Sequence, residues 1–311
     1  MRAMVQDEPG GPEVLRVAEV ERPEPGQVEV LVRVHAAGVN PVDWKARGRS
    51  RGFGDPPRIL GFDVSGVVEA VGPGVTLYEP GDEVFGMPRF PHPAGAYAEF
   101  VTAPPRHFAR KPAGIDHVQA AALPLAALTA WQGLTETANL RSGQRVLVHA
   151  AAGGVGHLAV QLAKLRGAYV IGTAREAKHE FVHGLGADEV VDYTKEDFAD
   201  VVRDVDIVLD TIGDDYGPRS LKTLRDGGVL VSFLPTVDDD LRAAAAKRDI
   251  KVGWTLVEPD YAALREIAAL AEAGRLRAEI DSVFPLEEAA KAHERGETGR
   301  TTGKIVLTVA D

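Results

Sequence analysis

The alternation of apolar and polar positions divides the chain into two regions with different predicted secondary structure. In the first region, residues 1 to about 117, short alternating runs are separated by glycine and proline. Val28–Val34 alternates almost strictly and predicts a half-buried strand, while Gly66–Gly72 and Gly81–Gly86 predict further short strands or turns. Many short strands with turn residues between them predict a compact β-rich, barrel-like domain.

From residue 118 the pattern changes to an alternation of strands and helices. A helix is predicted over His157–Arg166, where apolar residues recur on one side and Gly167 follows as a C-cap. This alternation predicts an α/β fold with a doubly wound parallel sheet and helices on both of its faces. A last strand is predicted over Lys304–Val309. The other predicted strands of this region are Arg145–His149, Tyr169–Thr173, Glu189–Val191, Asp206–Leu209, Val229–Phe233 and Ile250–Leu256.

Composition and charge exclude several classes of function. The formal net charge is −11, which argues against a nucleic-acid partner because such a partner requires a basic face. The chain has no cysteine, so it can form neither disulfides nor thiolate metal sites. The N-terminus becomes acidic before an apolar segment can form, and no run of about 18 apolar residues exists. We therefore expect no signal peptide, no membrane partner and a cytoplasmic location.

A glycine-rich loop follows the predicted strand Arg145–His149 and leads directly into the predicted helix. Small residues let the backbone approach a pyrophosphate, and the helix N-terminus offers N–H groups and the positive end of its dipole. A tight strand–helix connection would give the same local pattern, but the series of strand–helix units around it favours a dinucleotide site. The candidate pyrophosphate contacts are Ala152, Gly153, Gly154, Val155 and Gly156.

The end of the next predicted strand favours NADPH over NADH as the cofactor. Sites that prefer NAD carry an acidic residue there, which binds the ribose 2′-hydroxyl and would repel a 2′-phosphate. Here the positions are occupied by Thr173, Arg175 and Lys178, which offer hydrogen bonds and positive charge. The alternative for Arg175 and Lys178 is a solvated helix start. The nearest acid, Glu176, lies past the strand end.

Six ordered motifs carry a resemblance to a known family. They are Ala36–Asp43, Leu60–Gly72, Gly81–Gly86, Gly95–Phe100, Ala121–Trp131 and the glycine loop, with Thr301–Val306 closing the series. In this order and spacing the chain resembles the zinc-independent medium-chain dehydrogenases/reductases over nearly its whole length, in particular the quinone oxidoreductase (zeta-crystallin-like) branch. The resemblance implies a GroES-like β-barrel-type catalytic domain over residues 1–117, rejoined by residues 275–311. It also implies a Rossmann domain that binds NADP over residues 118–274.

The informative departure from the wider superfamily is at Phe62 and Asp63. Zinc-dependent alcohol dehydrogenases carry a His-Glu pair at these positions and use cysteine as a further ligand. Here phenylalanine stands at the histidine position and cysteine is absent, so a catalytic zinc with three protein ligands would need a new arrangement built from the nine histidines. We therefore expect no metal.

The resemblance also implies roles for individual residues. Asn40 and Asp43 are the candidate catalytic residues: Asn40 to orient the substrate carbonyl, and Asp43 either as its neighbour or only as an organiser of the loop. Thr129 is expected to bond the nicotinamide carboxamide, and Tyr193 to lie along the 2′-phosphate. The alternatives are an ordinary helix residue for Thr129, a strand-end aromatic for Tyr193 and plain core for Phe233. The positions expected to line the adenosine and nicotinamide ends are Thr211, Ile212, Phe233 and Leu234.

Hydride transfer without a metal requires an electron-poor acceptor that is held by hydrogen bonds. Quinones and α,β-unsaturated carbonyls meet this condition because the charge delocalises onto oxygen, so we predict NADPH-dependent reduction of a quinone or an enone. Two alternatives stay open: an enoyl reductase for a thioester or polyketide-type intermediate, and a non-catalytic NADPH-binding sensor. The family commonly forms homodimers, here through Lys251–Leu256. A group of arginines could receive an anionic substrate or form a solvated basic loop: Arg47, Arg49, Arg51 and Arg58.

Overall fold

The structure is a computed structural model that describes residues 1–49 and 56–309. The strands in these ranges, in chain order, are β1 (Arg2–Gln6), β2 (Arg16–Glu19), β3 (Val30–Val39), β4 (Arg58–Ile59), β5 (Asp63–Val71), β6 (Glu83–Gly86), β7 (Phe100–Ala103), β8 (Phe108–Arg110), β9 (Arg145–Val148), β10 (Tyr169–Thr173), β11 (Glu189–Val191), β12 (Val205–Asp210), β13 (Leu224–Ser232), β14 (Lys251–Trp254), β15 (Ile280–Pro285) and β16 (Lys304–Thr308).

The α-helices in the same ranges are α1 (Pro41–Arg47), α2 (His117–Ala121), α3 (Pro124–Gln132), α4 (Gly156–Leu165), α5 (His179–Gly184), α6 (Phe198–Val201), α7 (Tyr216–Leu221), α8 (Asp239–Ala246), α9 (Tyr261–Glu272) and α10 (Ala289–Glu297). Within the described ranges, none of them combines the length and the apolar character that a membrane-crossing helix needs.

Contacts between residues divide the chain into two compact units. The first comprises Met1–Leu128 and the segment from Glu258 onward, and the second comprises Thr129–Val257. The first unit contains a three-stranded sheet in the order β2-β1-β4 and a larger sheet in the order β15-β16-β3-β5-β6-β8, with β7 also paired to β3. Strand β16 lies antiparallel to β3, with Ile305 opposite Val39. This pairing brings the last strand of the chain next to the start of α1.

Strand β3 forms the centre of the larger sheet. Its alternate residues Val30, Val32 and Val34 are buried in the core of the first unit, as the alternating pattern predicts. The strand begins two residues later than predicted, because Val28 has a positive φ of 56° and turns the chain. It also continues to Val39, because β5 and β16 pair with its second half.

The second unit contains a parallel sheet in the order β11-β10-β9-β12-β13-β14. From β9 the chain proceeds outward through β10 and β11 on one side, and then crosses to β12 on the other side of β9. The strand order therefore reverses at β9, and ligands of open α/β sheets bind at the carboxyl ends of the strands at such a point. Strands β10 and β11 coincide with the predicted ones, and α4 begins one residue before the predicted helix.

Candidate active site

Helix α1 begins directly after β3, and Asn40 is the residue between them. Asn40 has extended backbone angles, and Pro41 is the first helical residue, where its fixed φ suits the helix and no N–H is required. Oδ2 of Asp43 accepts a hydrogen bond of 2.7 Å from the backbone N–H of Asn40. This is the acidic half of a capping box. The sequence Asn-Pro-Val-Asp therefore fixes the point at which the strand ends and the helix begins.

Both ends of the Asn40 side-chain amide are bonded to buried charged groups. Nδ2 donates to Oδ2 of Asp63 at 2.8 Å, and Oδ1 accepts from Nζ of Lys304. Nζ of Lys304 also donates to the backbone carbonyl of Val39 at 3.1 Å and lies 3.6 Å from Oδ2 of Asp63. The Asp63 and Lys304 side chains are 0% and 3% exposed, so an oppositely charged pair is enclosed beside the amide.

The hydrogen-bond partners of this pair fix its charge state. The three groups that Nζ of Lys304 faces are all acceptors, and both oxygens of Asp63 face donors, Oδ1 receiving the backbone N–H of Leu125 at 2.7 Å. Burial raises the pKa of Asp63 and lowers that of Lys304, and each group opposes the effect of burial on the other. An ammonium that faces acceptors and a carboxylate that faces donors satisfy both groups, so Asp63 and Lys304 form an ion pair.

A second series of hydrogen bonds begins at Asp43. The Tyr97 hydroxyl donates to Oδ2 of Asp43 at 2.9 Å and lies 3.2 Å from Nε2 of His293. Nδ1 of His293 accepts from Arg47 at 3.0 Å, since arginine can only donate, and the ring proton is therefore on Nε2. Burial, and then the charge of Arg47, lower the pKa of His293 to about 3. The imidazole is neutral at physiological pH and donates to Tyr97.

Asp43 is buried and titrates near neutral pH. Burial raises its pKa to about 7, although the hydrogen bonds from Asn40 and Tyr97 oppose this effect. Its other oxygen, Oδ1, is buried and has no hydrogen-bond partner among the described residues. The structure thus gives Asp43 the role of capping α1 and anchoring Tyr97, which agrees with an organiser of the loop. A direct catalytic role for Asp43 stays a prediction.

Phe62 is part of the apolar packing of the first unit. Its ring is 2% exposed and packs edge-to-face against Phe90, with ring centroids 5.0 Å apart and an angle of 83° between the planes. Across residues 1–49 and 56–309, no three His, Asp or Glu side chains are grouped as the ligands of a metal ion would be. The position at which zinc enzymes of the superfamily carry histidine therefore contributes packing here.

Two of the arginines considered for an anionic substrate are buried instead. Arg47 bonds His293 and pairs with Glu297 at 2.6 Å, and Arg58 donates to the backbone carbonyl of Arg49 at 2.7 Å. Both cations are buried and bond acceptors of the same unit, although Nε of Arg58 has no hydrogen-bond partner among the described residues. Neither a solvated loop nor a substrate contact therefore describes Arg47 and Arg58, and both expectations are wrong for them. Arg51 lies outside the described residues.

The glycine loop follows β9 at the point where the strand order reverses. Ala150 turns the chain with a positive φ of 47°, and its carbonyl accepts from the N–H of Gly153 at 2.8 Å. A Cβ at Gly156 would clash with this same carbonyl and would lie 2.8 Å from Cα of Ala151. Glycine therefore lets α4 begin this close to β9. The turn that precedes the helix consists of Ala152, Gly153, Gly154 and Val155.

Thr173, at the end of β10, supports the glycine loop from within. Its hydroxyl accepts from the N–H of Ala150 at 3.1 Å and lies 3.4 Å from Nδ1 of His149. Nε2 of His149 lies 2.9 Å from the hydroxyl of Ser220, and burial lowers the pKa of His149 to about 3. Thr173 is 1% exposed. Its hydroxyl faces the loop in this structure, and its assignment to a 2′-phosphate stays a prediction.

Arg175 and Tyr193 come together beyond the end of β10. Nε of Arg175 donates to the Tyr193 hydroxyl at 3.0 Å, and both side chains are exposed. Lys178 ends a short 3₁₀ helix, Glu176–Lys178, that follows Arg175. Two of the residues predicted to meet a 2′-phosphate are therefore neighbours in space although 18 positions separate them.

The acidic residues near Arg175 are engaged elsewhere. Asp192 accepts from both the backbone and the hydroxyl of Thr194 and from the backbone N–H of Glu176. The Glu176 carboxylate pairs with Lys195 at 2.6 Å. Hydrogen bonds to Asp192 keep its pKa below the usual value, so it is ionised and already satisfied. The guanidinium of Arg175 thus bonds the Tyr193 hydroxyl while the nearby carboxylates have other partners.

The remaining predicted cofactor residues follow β12 and β13 or lie in α3. The Thr211 hydroxyl donates to the backbone carbonyl of His149 at 3.0 Å, which ties it to the glycine loop. Thr129 lies in α3 and is buried. Because the carboxyl ends of parallel strands meet at one edge of a sheet, the residues after β12 and β13 share the edge of the loop. These residues are Thr211, Ile212, Phe233 and Leu234.

Sequence reasoning assigned no role to Asp63, Tyr97 or Lys304, although each lies within a motif that carried the resemblance. One local signal was available for Lys304, because it begins a mostly apolar run, Ile305–Val309, that predicts a buried strand, and a lysine is rarely buried without a partner. The partners of Lys304 could not be identified from this signal, since Asn40 lies 264 positions earlier.

Two family models match the chain. Residues 26–113 match a model described as "Alcohol dehydrogenase GroES-like domain", and residues 185–307 match one described as "Zinc-binding dehydrogenase". The predicted fold class is confirmed: the structure is an α/β protein with a GroES-like domain and a Rossmann-type parallel sheet.

The chain is similar over almost its full length to proteins with named activities. It is 34% identical to the human "Quinone oxidoreductase", covering 99% of this chain and 97% of the relative. It is 36% identical to the chloroplastic "NADPH-dependent alkenal/one oxidoreductase" of Arabidopsis thaliana, covering 99% of this chain and 79% of the relative. Among solved structures, the quinone oxidoreductase from Coxiella burnetii superimposes with a TM-score of 0.94 at 39% identity, over 99% of both chains.

Proposed function

The chain belongs to the quinone oxidoreductase branch of the zinc-independent medium-chain dehydrogenases/reductases, and from this we propose that it transfers hydride from NADPH to a quinone or an α,β-unsaturated carbonyl compound. The observation that carries the proposal is the glycine loop between β9 and α4, where the strand order reverses. A dinucleotide binds at this point in sheets of this type. The substrate class follows from the names of the relatives, which specify quinones and alkenals or enones.

The residues around the glycine loop fit a nicotinamide dinucleotide. A Cβ at Gly156 would clash with Ala150, so the loop has the close packing that brings a helix N-terminus up to a pyrophosphate. When bound, NADPH supplies the hydride. On this proposal, the residues from Ala152 to Gly156 hold the pyrophosphate, and Thr129 and the residues after β12 and β13 line the rest of the cofactor.

A preference for NADPH is supported by the residues beyond β10. The guanidinium of Arg175 and the hydroxyl of Tyr193 are within hydrogen-bond distance of each other, and both can donate to phosphate oxygens. Lys178 adds a further cation nearby in the sequence. The neighbouring Glu176 pairs with Lys195, so its charge opposes a phosphate less than a free carboxylate would. Asp192 is held by the backbone and the hydroxyl of Thr194.

The chemistry that we propose for the substrate depends on the side-chain amide of Asn40. Nδ2 carries two hydrogens, and among the described residues Asp63 accepts one of them. When hydride adds to a quinone, or to the β-carbon of an enone, negative charge develops on a carbonyl oxygen, and the second N–H of Asn40 stabilises that charge. A proton from water then completes the two-electron reduction. No step requires a metal ligand set, which the described residues do not form.

The test is the oxidation of NADPH and of NADH, measured side by side with 1,4-benzoquinone, 9,10-phenanthrenequinone and 3-buten-2-one as acceptors. We expect turnover with at least one of these acceptors, and a higher kcat/KM with NADPH than with NADH. The absorbance of the reduced cofactor at 340 nm, a property of the cofactor itself, gives the rate. An assay without protein measures direct reduction of the quinone and is subtracted.

Each outcome of this assay separates the proposal from an alternative. Tight NADPH binding with no turnover of these acceptors, but with turnover of an enoyl thioester, would favour the enoyl reductase. Binding without turnover of any acceptor would favour the sensor. A preference for NADH would contradict the role that we assign to Arg175 and Tyr193, without contradicting hydride transfer itself.

We further propose that the protein forms a homodimer through strand β14. This strand is at the edge of the parallel sheet, and an unpaired strand edge can pair with a second copy. Trp254, at its end, and Leu256, just beyond it, are each 48% exposed. Large apolar side chains at a free strand edge favour burial against a second copy of the same edge.

A further inference from the structure

We infer that Lys304, on the last strand of the chain, is a positioning residue that orients and polarises the Asn40 amide for its contact with the substrate carbonyl. The inference rests on the proposed function, because that function gives Asn40 a carbonyl oxygen to bind. It adds a residue from β16 to a site whose recognised candidates, Asn40 and Asp43, both come from the junction of β3 and α1.

The orientation of the amide follows from the chemistry of its two neighbours. Lys304 has only donors and therefore must face the amide oxygen, while the ionised Asp63 has only acceptors and therefore must face the amide nitrogen. Rotation of the amide by 180° would turn its NH₂ toward an ammonium and its oxygen toward a carboxylate. Both contacts would then be repulsive, so the pair permits one orientation. In that orientation Nδ2, rather than Oδ1, is the end with a hydrogen to spare.

Lys304 also changes the strength of the remaining donor. A cation that donates to Oδ1 draws electron density toward the oxygen and raises the double-bond character of the C–N bond. The nitrogen becomes more positive, and its N–H groups become better donors, as in other chains of polarised hydrogen bonds. The effect is large only where water does not screen the cation, and Lys304 is 3% exposed.

The simpler alternative is that Lys304 only neutralises the buried charge of Asp63. The two roles can be separated by experiment. Neutralisation requires only that the buried charges balance, so a site without either charge satisfies it, whereas polarisation requires the ammonium of Lys304 on Oδ1. The variants D63N and K304M/D63N make this distinction. D63N leaves Lys304 beside Oδ1 but removes the carboxylate that opposes the effect of burial on the Lys304 pKa, so all proteins are assayed at mildly acidic pH, where the ammonium is favoured. K304M/D63N removes both charges at once.

The kinetic test compares these variants with the wild type under the conditions of the quinone assay. If Lys304 polarises Asn40, kcat falls in the order wild type, D63N, K304M/D63N, and the double variant loses about ten- to a hundredfold, somewhat less than the loss of an entire oxyanion donor. The dissociation constant for NADPH stays unchanged. If neutralisation is the only role, the double variant is at least as active as D63N, and this result would overturn the inference.

The matched control is K291M. Lys291 lies on α10 of the same unit, is exposed, and pairs with Glu288 at 2.6 Å. Its substitution removes one lysine charge without contact with Asn40, so kcat should equal that of the wild type. A loss in K291M comparable to that in K304M/D63N would show that the assay responds to lysine loss in general, and would remove the support for Lys304.

A second measurement reads the amide directly and does not depend on turnover. The chain has two asparagines, Asn40 and Asn139, and the two variants add a third at position 63, so their ¹⁵N-asparagine-labelled proteins give three side-chain amide signals. N139G and N40A, each made in both variants, assign these signals. Because a cation on Oδ1 deshields the nitrogen, the Asn40 signal should move upfield from D63N to K304M/D63N while the Asn139 signal stays in place. An Asn40 signal that does not move contradicts the polarisation. A wild type that reduces no acceptor contradicts the proposed function instead, and with it the catalytic part of this inference.

Discussion

Arg175 and Tyr193 are bonded at 3.0 Å on the surface, where a guanidinium and a phenol gain little from each other in water. Both side chains are exposed, and the carboxylates beside them have other partners. A dianionic phosphate, which can accept from the guanidinium and from the hydroxyl, fits this position. Replacement of Arg175 by alanine should weaken NADPH binding about ten- to a hundredfold, the range of a charge-assisted hydrogen bond, and leave NADH binding nearly unchanged. Fluorescence titration of the two reduced cofactors measures both constants.

The control for this prediction is R225A. Arg225 is also exposed and paired, in this case with Asp206 at 2.6 Å, and it lies in the same unit. Its substitution removes the same charge, so any general effect of net charge on an anionic cofactor appears in both variants. Equal losses for NADPH and NADH in R175A, or equal losses in R175A and R225A, would contradict a specific contact with the 2′-phosphate.

Asp43 gives a pH dependence of stability with a definite sign. Its folded-state pKa of about 7 lies above the reference value of 3.8, so the folded protein keeps a proton that the unfolded chain releases. The stability that this proton provides is complete below 3.8 and is lost as the pH rises through about 7. The wild type should therefore lose free energy of unfolding relative to D43N as the pH rises, by at most about 1.4 kcal/mol per pH unit.

Urea unfolding of the wild type and D43N at several pH values between 5 and about 7.5 measures this difference, within the range that the titration covers. The comparison is made between the two proteins at each pH, because His149 and His293 have lowered pKa values and add a common slope of opposite sign. A difference that does not change with pH would show that Asp43 is ionised throughout the range.

At the scale of elements, local pattern determined the accuracy of the sequence predictions. Strands β10 and β11 have the predicted bounds because each is a short apolar run between helices, and α4 differs by one residue. Strand β3 differs more, since its second half is held by β16 from the opposite end of the chain, a pairing that no local pattern contains. The position of each strand in the Rossmann-type sheet was therefore predictable, although β13 begins at Leu224, five residues before the predicted start at Val229. The extent of β3 depends on long-range pairing.

The junction between β9 and α4 gives a prediction about packing. G156A places a methyl group against the backbone carbonyl of Ala150, which cannot move without distorting the loop. We expect a loss of about 1–3 kcal/mol in unfolding free energy, as for other overpacked sites, together with weaker NADPH binding. Thermal unfolding with and without NADPH measures both effects.

Gly184 provides the matched control, because it ends helix α5 in the same unit and a Cβ there would meet no atom within 4 Å. G184A should be neutral or slightly stabilising, since alanine is the better helix former by up to about 1 kcal/mol. If G156A were as stable as G184A and bound NADPH normally, the close approach of α4 to β9 would not depend on this glycine.

At the scale of the whole molecule, the candidate residues differ in how far the sequence could identify them. The glycine loop is contiguous, so its motif could be recognised directly. The bond between Asn40 and Lys304 joins positions 264 apart, and that between Tyr97 and His293 joins positions 196 apart. Periodicity and composition do not specify such pairs, because folding of the whole first unit creates them. Sequence reasoning could therefore nominate Asn40 but not the charges that set its orientation.

The proposed dimer is tested by placing charge on the edge of β14. In a twofold interface each substitution occurs twice, so W254E/L256E would bring like charges together and should dissociate the dimer. V283E is the matched control, because Val283 is 46% exposed on β15, which is the edge strand of the other large sheet. Light scattering should give twice the chain mass of 33.2 kDa for the wild type and V283E, and the chain mass for W254E/L256E.

The same dimer makes thermal stability depend on protein concentration. A second copy that binds only the folded chain stabilises it by mass action, so the midpoint of unfolding should rise with concentration in the wild type and V283E but not in W254E/L256E. If V283E dissociated and W254E/L256E did not, the interface would lie on β15 and not on β14. A wild type that scatters as a single chain, with a midpoint independent of concentration, would show that the exposed Trp254 and Leu256 are not covered by a second copy.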